Sequence, residues 1–119
     1  MKTTKKDFIE FKEECKRLIS VLGLSEWSCV FKHCKLDNDS ARISYNTQDR
    51  VAIFFLNKKV DELWDGGERS ARHEIGHLLI ADLDTMAGYG EASRLVQQES
   101  EKFANRFANL IEFLEERGE

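Results

Sequence analysis

The 119-residue chain contains no proline and no long hydrophobic run. A chain without a proline-rich hinge gives no sign of two domains, and its length predicts one compact domain spanning residues 1–119. The longest apolar runs, at 51–56 and 78–81, fall far short of the roughly 18 residues that a membrane-spanning helix needs. No apolar stretch follows the N-terminal lysines, so we expect no secretory signal, no membrane partner and a cytoplasmic location.

Cysteine and histidine are scarce, and neither sign of charge dominates. The three cysteines, Cys15, Cys29 and Cys34, are odd in number, which favours reduced thiols over a disulfide framework. Acidic residues outnumber basic ones by 22 to 18. Because domains that bind nucleic acids usually carry a basic excess, this balance argues against nucleic acid as the main partner.

The spacing of apolar residues predicts an α+β domain with three helices and three strands between the first two of them. Apolar residues three and four positions apart predict helices at 7–22, 68–83 and 91–116. Strand character is found at 27–36, 41–48 and 51–57. Short polar segments separate these strands, which predicts a small antiparallel sheet built of hairpins. Two glycines predict a loop at 85–90.

Two of the three histidines lie four residues apart, in the segment RHEIGH at 72–77. Residues i and i+4 project from the same face of a helix, so His73 and His77 can bind one metal ion. Glu74 follows the first histidine directly. Its carboxylate can reach a water on the metal without binding the metal itself, and can act as a general base. Zinc is the expected metal, since it lowers the pKa of such a water toward about 7.

A catalytic zinc usually takes three protein ligands and keeps one open position. No histidine follows His77, so the third ligand is expected to be an acid, and the last predicted helix offers Glu99 and Glu101. One stripe of that helix combines a carboxylate, two small residues and an amide: Glu101, Ala104, Ala108 and Asn105. Small residues allow close packing against the motif helix. Asn105 can then accept the outer N–H of a ligand imidazole and fix its tautomer.

The segments HEIGH at 73–77 and EKFANRFA at 101–108 resemble the ImmA/IrrE-like metallopeptidases, a gluzincin-type group common in phages and mobile elements. Members carry H-E-x-x-H and then E-x-x-A-N-x-F-A, in which the glutamate is the third zinc ligand, and Glu101 matches it. The resemblance implies a minimal zincin-like fold: an N-terminal helix, a three-stranded antiparallel sheet and two ligand helices. It also implies a regulatory Zn²⁺ peptidase whose substrate is a protein or peptide, such as a repressor or another host protein.

Three further candidates carry alternatives. Tyr89 lies in the predicted loop between the ligand helices, where its phenol can donate a hydrogen bond to the oxyanion of a tetrahedral intermediate or simply cover the edge of the core. Glu99 is the alternative third ligand, although Asn105 would then be lost as a partner. Cys29, His33 and Cys34 are assigned structural roles, because neighbouring residues of a strand point to opposite faces and the three cannot readily converge on a metal.

The competing function is a non-catalytic zinc-binding domain that binds or inhibits a host protein, with the metal stabilising a small core. The coordination distinguishes the two functions. Three protein ligands and an open position favour an enzyme, whereas a fourth protein ligand favours a binding domain. Zincin-like enzymes bind an extended substrate at a sheet edge, and the sequence does not reveal which strand is that edge.

Overall fold

A computed structural model describes residues 1–87 and 93–117 of the chain. These residues form, in order, α1 (Lys5–Val21), β1 (Ser28–Cys34), β2 (Ala41–Asn46), β3 (Val51–Asn57), α2 (Gly67–Leu79), α3 (Ala81–Ala87) and α4 (Ser93–Arg117). The architecture is α+β, as the sequence predicts. None of the described helices is both long enough and apolar enough to span a membrane.

Helix α1 has a defined start and stop. Thr4 Oγ1 accepts the Asp7 N–H at 3.1 Å, and the Asp7 carboxylate accepts the Thr4 N–H at 2.7 Å. This reciprocal capping box satisfies two N–H groups that the first turn would leave without a partner. The helix ends at Val21, and Gly23 follows with φ of 70°, a left-handed conformation that glycine adopts without strain.

The sheet is mixed, with the strand order β1-β3-β2. The predicted antiparallel pairing holds for β2 with β3 but is wrong for β1, which pairs with β3 in parallel. Strand β3 occupies the centre because Ala52, Phe54 and Leu56 are completely buried, which favours a strand with neighbours on both sides. Strands β1 and β2 therefore do not form the hairpin that the short segment between them suggested.

Asn57 holds the crossover that makes this strand order possible. The segment at 35–40 carries the chain from β1 to β2 past the end of β3, where Asn57 lies. The Asn57 side chain donates to the carbonyls of Leu36 and Asp39 at 3.1 and 2.9 Å and accepts the Leu36 N–H at 3.1 Å. One buried side-chain amide thus supplies hydrogen bonds to backbone groups of the crossover segment, which has no neighbouring strand to bond with.

The segment after the motif helix also differs from the prediction. The helix predicted at 68–83 is interrupted at Ile80, which separates α2 from α3. Part of the loop predicted at 85–90 is helical, because α3 continues to Ala87, and the remainder lies outside the described residues. The last helix begins and ends within two residues of the prediction.

Helix α2 is anchored on α1 by a buried ion-pair network. Glu14 is only 7% exposed, and its carboxylate accepts from Arg17 Nε at 2.7 Å and from Arg72 Nε at 2.8 Å. Burial alone would raise the pKa of Glu14, but the hydrogen bonds from the two arginines outweigh it and hold that pKa below its usual value. The charged form is therefore the stable one, and Arg72 is fixed next to His73.

On its other side α2 meets α4 in near-backbone contact at Gly76. A Cβ on Gly76 would lie 2.9 Å from Cα of Ala104 and 3.3 Å from its Cβ. Ala104 and Ala108 are completely buried. The small residues predicted on α4 therefore do allow close packing against the motif helix.

We expect Gly76→Ala to lower the free energy of unfolding by up to about 2 kcal/mol. Helix propensity alone would make this substitution stabilising by about 1 kcal/mol, but forcing a methyl group against a packed helix costs about 1–3 kcal/mol. Urea denaturation of the metal-free protein measures the net change in the free energy of unfolding that these two effects produce. The exposed Gln98→Ala substitution on α4 is the control for propensity alone. A more stable Gly76→Ala protein would contradict the close contact.

Candidate metal centre

The two helices bring three predicted ligands together. His73 and His77 project from one face of α2, and Glu101 reaches them from α4. His73 Nε2 lies 3.1 Å from Glu101 Oε2, His77 Nε2 lies 3.0 Å from Glu101 Oε1, and the two Nε2 atoms are 3.3 Å apart. Among the described residues, this is the one group of three or more such side chains placed to hold a metal ion.

These separations fit a small tetrahedral ion. Zinc binds imidazole nitrogen and carboxylate oxygen at about 2.0–2.2 Å, and ligands at that distance around a tetrahedral ion lie about 3.3–3.6 Å from one another. The two Nε2 atoms are 3.3 Å apart, and each lies 3.0–3.1 Å from a different oxygen of Glu101. Two nitrogens and one oxygen are also a donor set that zinc accepts. The three residues are therefore close enough together to hold a divalent metal.

The outer nitrogens of both imidazoles are held by side chains of α4. His73 Nδ1 lies 3.0 Å from Asn105 Oδ1, the contact that the sequence predicts, and His77 Nδ1 lies 2.9 Å from Ser100 Oγ. A carbonyl oxygen only accepts, so Nδ1 of His73 carries the proton and Nε2 keeps its lone pair for a metal. Ser100 was not predicted, although its place four residues before Ala104 on α4 indicates the same buried stripe.

Electrostatics favour the neutral, ligating form of His77. Burial has the largest effect and lowers its pKa; Glu101 raises that pKa, but burial together with the nearby His73 outweighs it. A neutral imidazole offers a lone pair to a metal, whereas a protonated ring repels one. The surroundings of His77 thus suit a ligand.

Glu74 is buried beside this group, with 6% of its surface exposed. Burial raises the pKa of Glu74 to about 8, and the carboxylates of Glu101 and Asp39 contribute to the rise. Arg42 opposes this rise but does not outweigh it. Glu74 lines the same cleft as the three clustered side chains without being one of them.

A cleft of about 450 Å³ opens over the three ligands. Helices α2 and α4 form one side of it. Strand β2 forms the other with Ala41, Arg42, Ile43 and Tyr45. Among the described residues no strand pairs with the outer side of β2, so β2 is an edge of the sheet and also lines the cleft.

Other sequence candidates do not join this group. Glu99 pairs with Lys102 Nζ at 3.1 Å on the exposed surface of α4, and Tyr89 lies outside the described residues. His33 Nε2 lies 2.7 Å from Thr3 Oγ1, and its ring stacks on Phe8. These contacts agree with a structural role for His33.

Glu101→Gln should reduce zinc affinity by at least about 100-fold, because an amide oxygen carries no charge and binds zinc poorly. Glu99→Gln is the matched control and should leave zinc affinity unchanged. Competition with a chromophoric chelator measures both constants. Stoichiometric zinc of wild-type affinity in Glu101→Gln would exclude Glu101 as a ligand.

Ser100→Ala and Asn105→Ala should each weaken zinc binding by about 10- to 100-fold, because each removes the partner that orients a ligand imidazole. Asn109→Ala, at an exposed amide one turn further along α4, is the control. The same chelator competition applies. Zinc affinities equal to that of Asn109→Ala would show that these two hydrogen bonds do not support the metal.

Comparison with known proteins identifies no relative: no protein-family model, curated protein or solved structure matches the chain. The resemblance to ImmA/IrrE-like metallopeptidases therefore depends on the two short motifs around His73 and Glu101. What is known of the site is its geometry: two imidazoles and a carboxylate converge at the floor of an open cleft.

Proposed function

We propose that this chain is a zinc-dependent metallopeptidase with a minimal zincin-like fold. The observation that carries the proposal is the convergence of His73, His77 and Glu101 beneath an open cleft that Glu74 also lines. Zinc bound by these three residues would polarise a peptide carbonyl and activate a water molecule for attack on it. The number of candidate ligands also supports a peptidase. Among the described residues the group contains three such side chains and not four, which would leave one position on the metal open for water.

Glu74 is the proposed general base. Its carboxylate accepts the proton of the attacking water and passes it to the amine that leaves when the peptide bond breaks. Burial supports this role, because a desolvated carboxylate binds a proton more readily than an exposed one. Asn105 and Ser100 keep the ligand imidazoles oriented while the proton moves.

The substrate is proposed to be an extended peptide that pairs with the open edge of β2. An edge strand presents unpaired N–H and C=O groups, and an extended chain can add to them as a further strand. Strand β2 lines the cleft along its length, so an added strand would pass over the ligand group. Following the family resemblance, the substrate is a protein such as a repressor, and the enzyme is a regulatory protease of a phage or mobile element.

Glu74→Gln should lower peptide hydrolysis by about 100- to 10,000-fold, the usual contribution of a general base, while zinc stays bound with its wild-type stoichiometry. The assay is mass spectrometry of a mixed peptide library incubated with the zinc-loaded protein, with metal content measured in parallel. Glu68→Gln, on an exposed part of the same helix, is the control.

Two results would overturn the proposal. Wild-type rates in Glu74→Gln would exclude the mechanism. A zinc-loaded wild-type protein that leaves the whole library and folded protein substrates uncut would favour the non-catalytic zinc-binding domain instead.

A further inference from the structure

Asp84 is a carboxylate of the cleft that a hydrogen bond holds in place without neutralising its charge. The Tyr45 hydroxyl donates to Asp84 Oδ2 at 2.7 Å, joining β2 to α3, and both residues line the cleft of the ligand group. The Tyr45 ring packs edge-on against Trp27 with ring centroids 6.1 Å apart. Burial and the bond to Asp84 raise the pKa of Tyr45, so the phenol remains a donor at neutral pH. Asp84 is therefore fixed on the wall of the cleft.

Two other carboxylates of the cleft have cationic partners: Asp39 lies 3.4 Å from Arg42, and Asp65 lies 3.7 Å from Arg69. Glu101 belongs to the candidate ligand group, and Glu74 is buried beside it. In the described part of the chain, Asp84 has no cation within ion-pairing distance.

A cation that binds α3 close to Asp84 in sequence is already engaged by another carboxylate. Arg50 comes from the turn between β2 and β3 and binds Asp82, two residues before Asp84 on α3. It donates to both carboxylate oxygens of Asp82 at 2.9 and 3.0 Å, and its guanidinium lies over the ring of Trp27. This bidentate arrangement fixes Arg50 away from Asp84. Among the described residues, Asp84 is thus a carboxylate of the cleft wall that no lysine or arginine neutralises.

We propose that Asp84 is a specificity-determining residue that selects a peptide with a lysine or arginine side chain close to the scissile bond. The inference rests on the proposed peptidase function. The bond from Tyr45 uses Oδ2 and leaves Oδ1 to accept from an ammonium or guanidinium group. Because Asp84 is half-buried on a cleft wall, a cation there is partly desolvated and gains more than it would at an open surface.

The test compares matched peptides that differ in one side chain. A peptide library first locates the sites that the zinc-loaded enzyme cleaves, and the lysine or arginine nearest the bond is then replaced by norleucine, which has a similar length and no charge. For the wild-type enzyme we expect kcat/KM to be about tenfold higher for the cationic peptide. In Asp84→Asn, which keeps an acceptor for Tyr45, this ratio should fall to about two or less. Asp37→Asn, at an exposed carboxylate outside the cleft, is the matched control and should keep the wild-type ratio.

The wild-type enzyme also provides a test that needs no variant. Raising the salt concentration screens charge attraction, so the ratio between cationic and norleucine peptides should shrink between 50 and 500 mM NaCl. Cleavage without any preference for a cation, or a preference that persists in folded Asp84→Asn, would overturn the role of Asp84 and leave the peptidase function intact. Absence of any Glu74-dependent cleavage would instead refute the proposed function itself.

Discussion

Helices α2 and α4 cross with almost no side chain between them at Gly76 and Ala104, where an added Cβ would lie 2.9 Å from a backbone atom. Packed helices more commonly keep their axes 8–10 Å apart, at a distance set by the side chains in contact. Both histidines of the candidate metal centre are on α2, and His77 directly follows the contact. Glu101 lies less than one turn before Ala104 on α4. The crossing therefore sets the distance between imidazoles and carboxylate, and a bulkier residue at 76 would separate the donors.

Two equally buried glutamates show what distinguishes the site from the rest of the core. Glu14 is 7% exposed and lies between two arginines, and its pKa is held below the usual value. Glu74 is 6% exposed, has other carboxylates nearby, and its pKa is raised to about 8. Equal burial therefore leaves Glu14 charged, because two arginines offset it, and favours a bound proton on Glu74, because the carboxylates around it add to the cost of a buried charge.

The features that could be predicted from sequence are those that a helical period determines. His73 and His77 share a face because they are four residues apart, and Asn105 lies four residues beyond Glu101, so its contact with His73 follows from the packing of two regular helices. Ser100 escaped prediction because a serine next to a glutamate has no distinctive pattern. The interruption at Ile80 and the partners of Tyr45 depend on contacts between segments far apart in sequence, which local periodicity does not encode.

The sheet topology is the largest difference from expectation, and the cleft depends on it. Consecutive hairpins would have given the order β1-β2-β3, with β2 in the centre and both of its sides paired. The chain instead crosses the end of β3, where the Asn57 side chain hydrogen-bonds the crossing segment. Strand β1 therefore lies on the far side of β3, and β2 becomes an edge strand that contacts α2. Side chains of β2 then line the cleft, and Tyr45 reaches α3. A buried amide at one end of the central strand thus supports the crossover that leaves β2, and not β1, beside the candidate site.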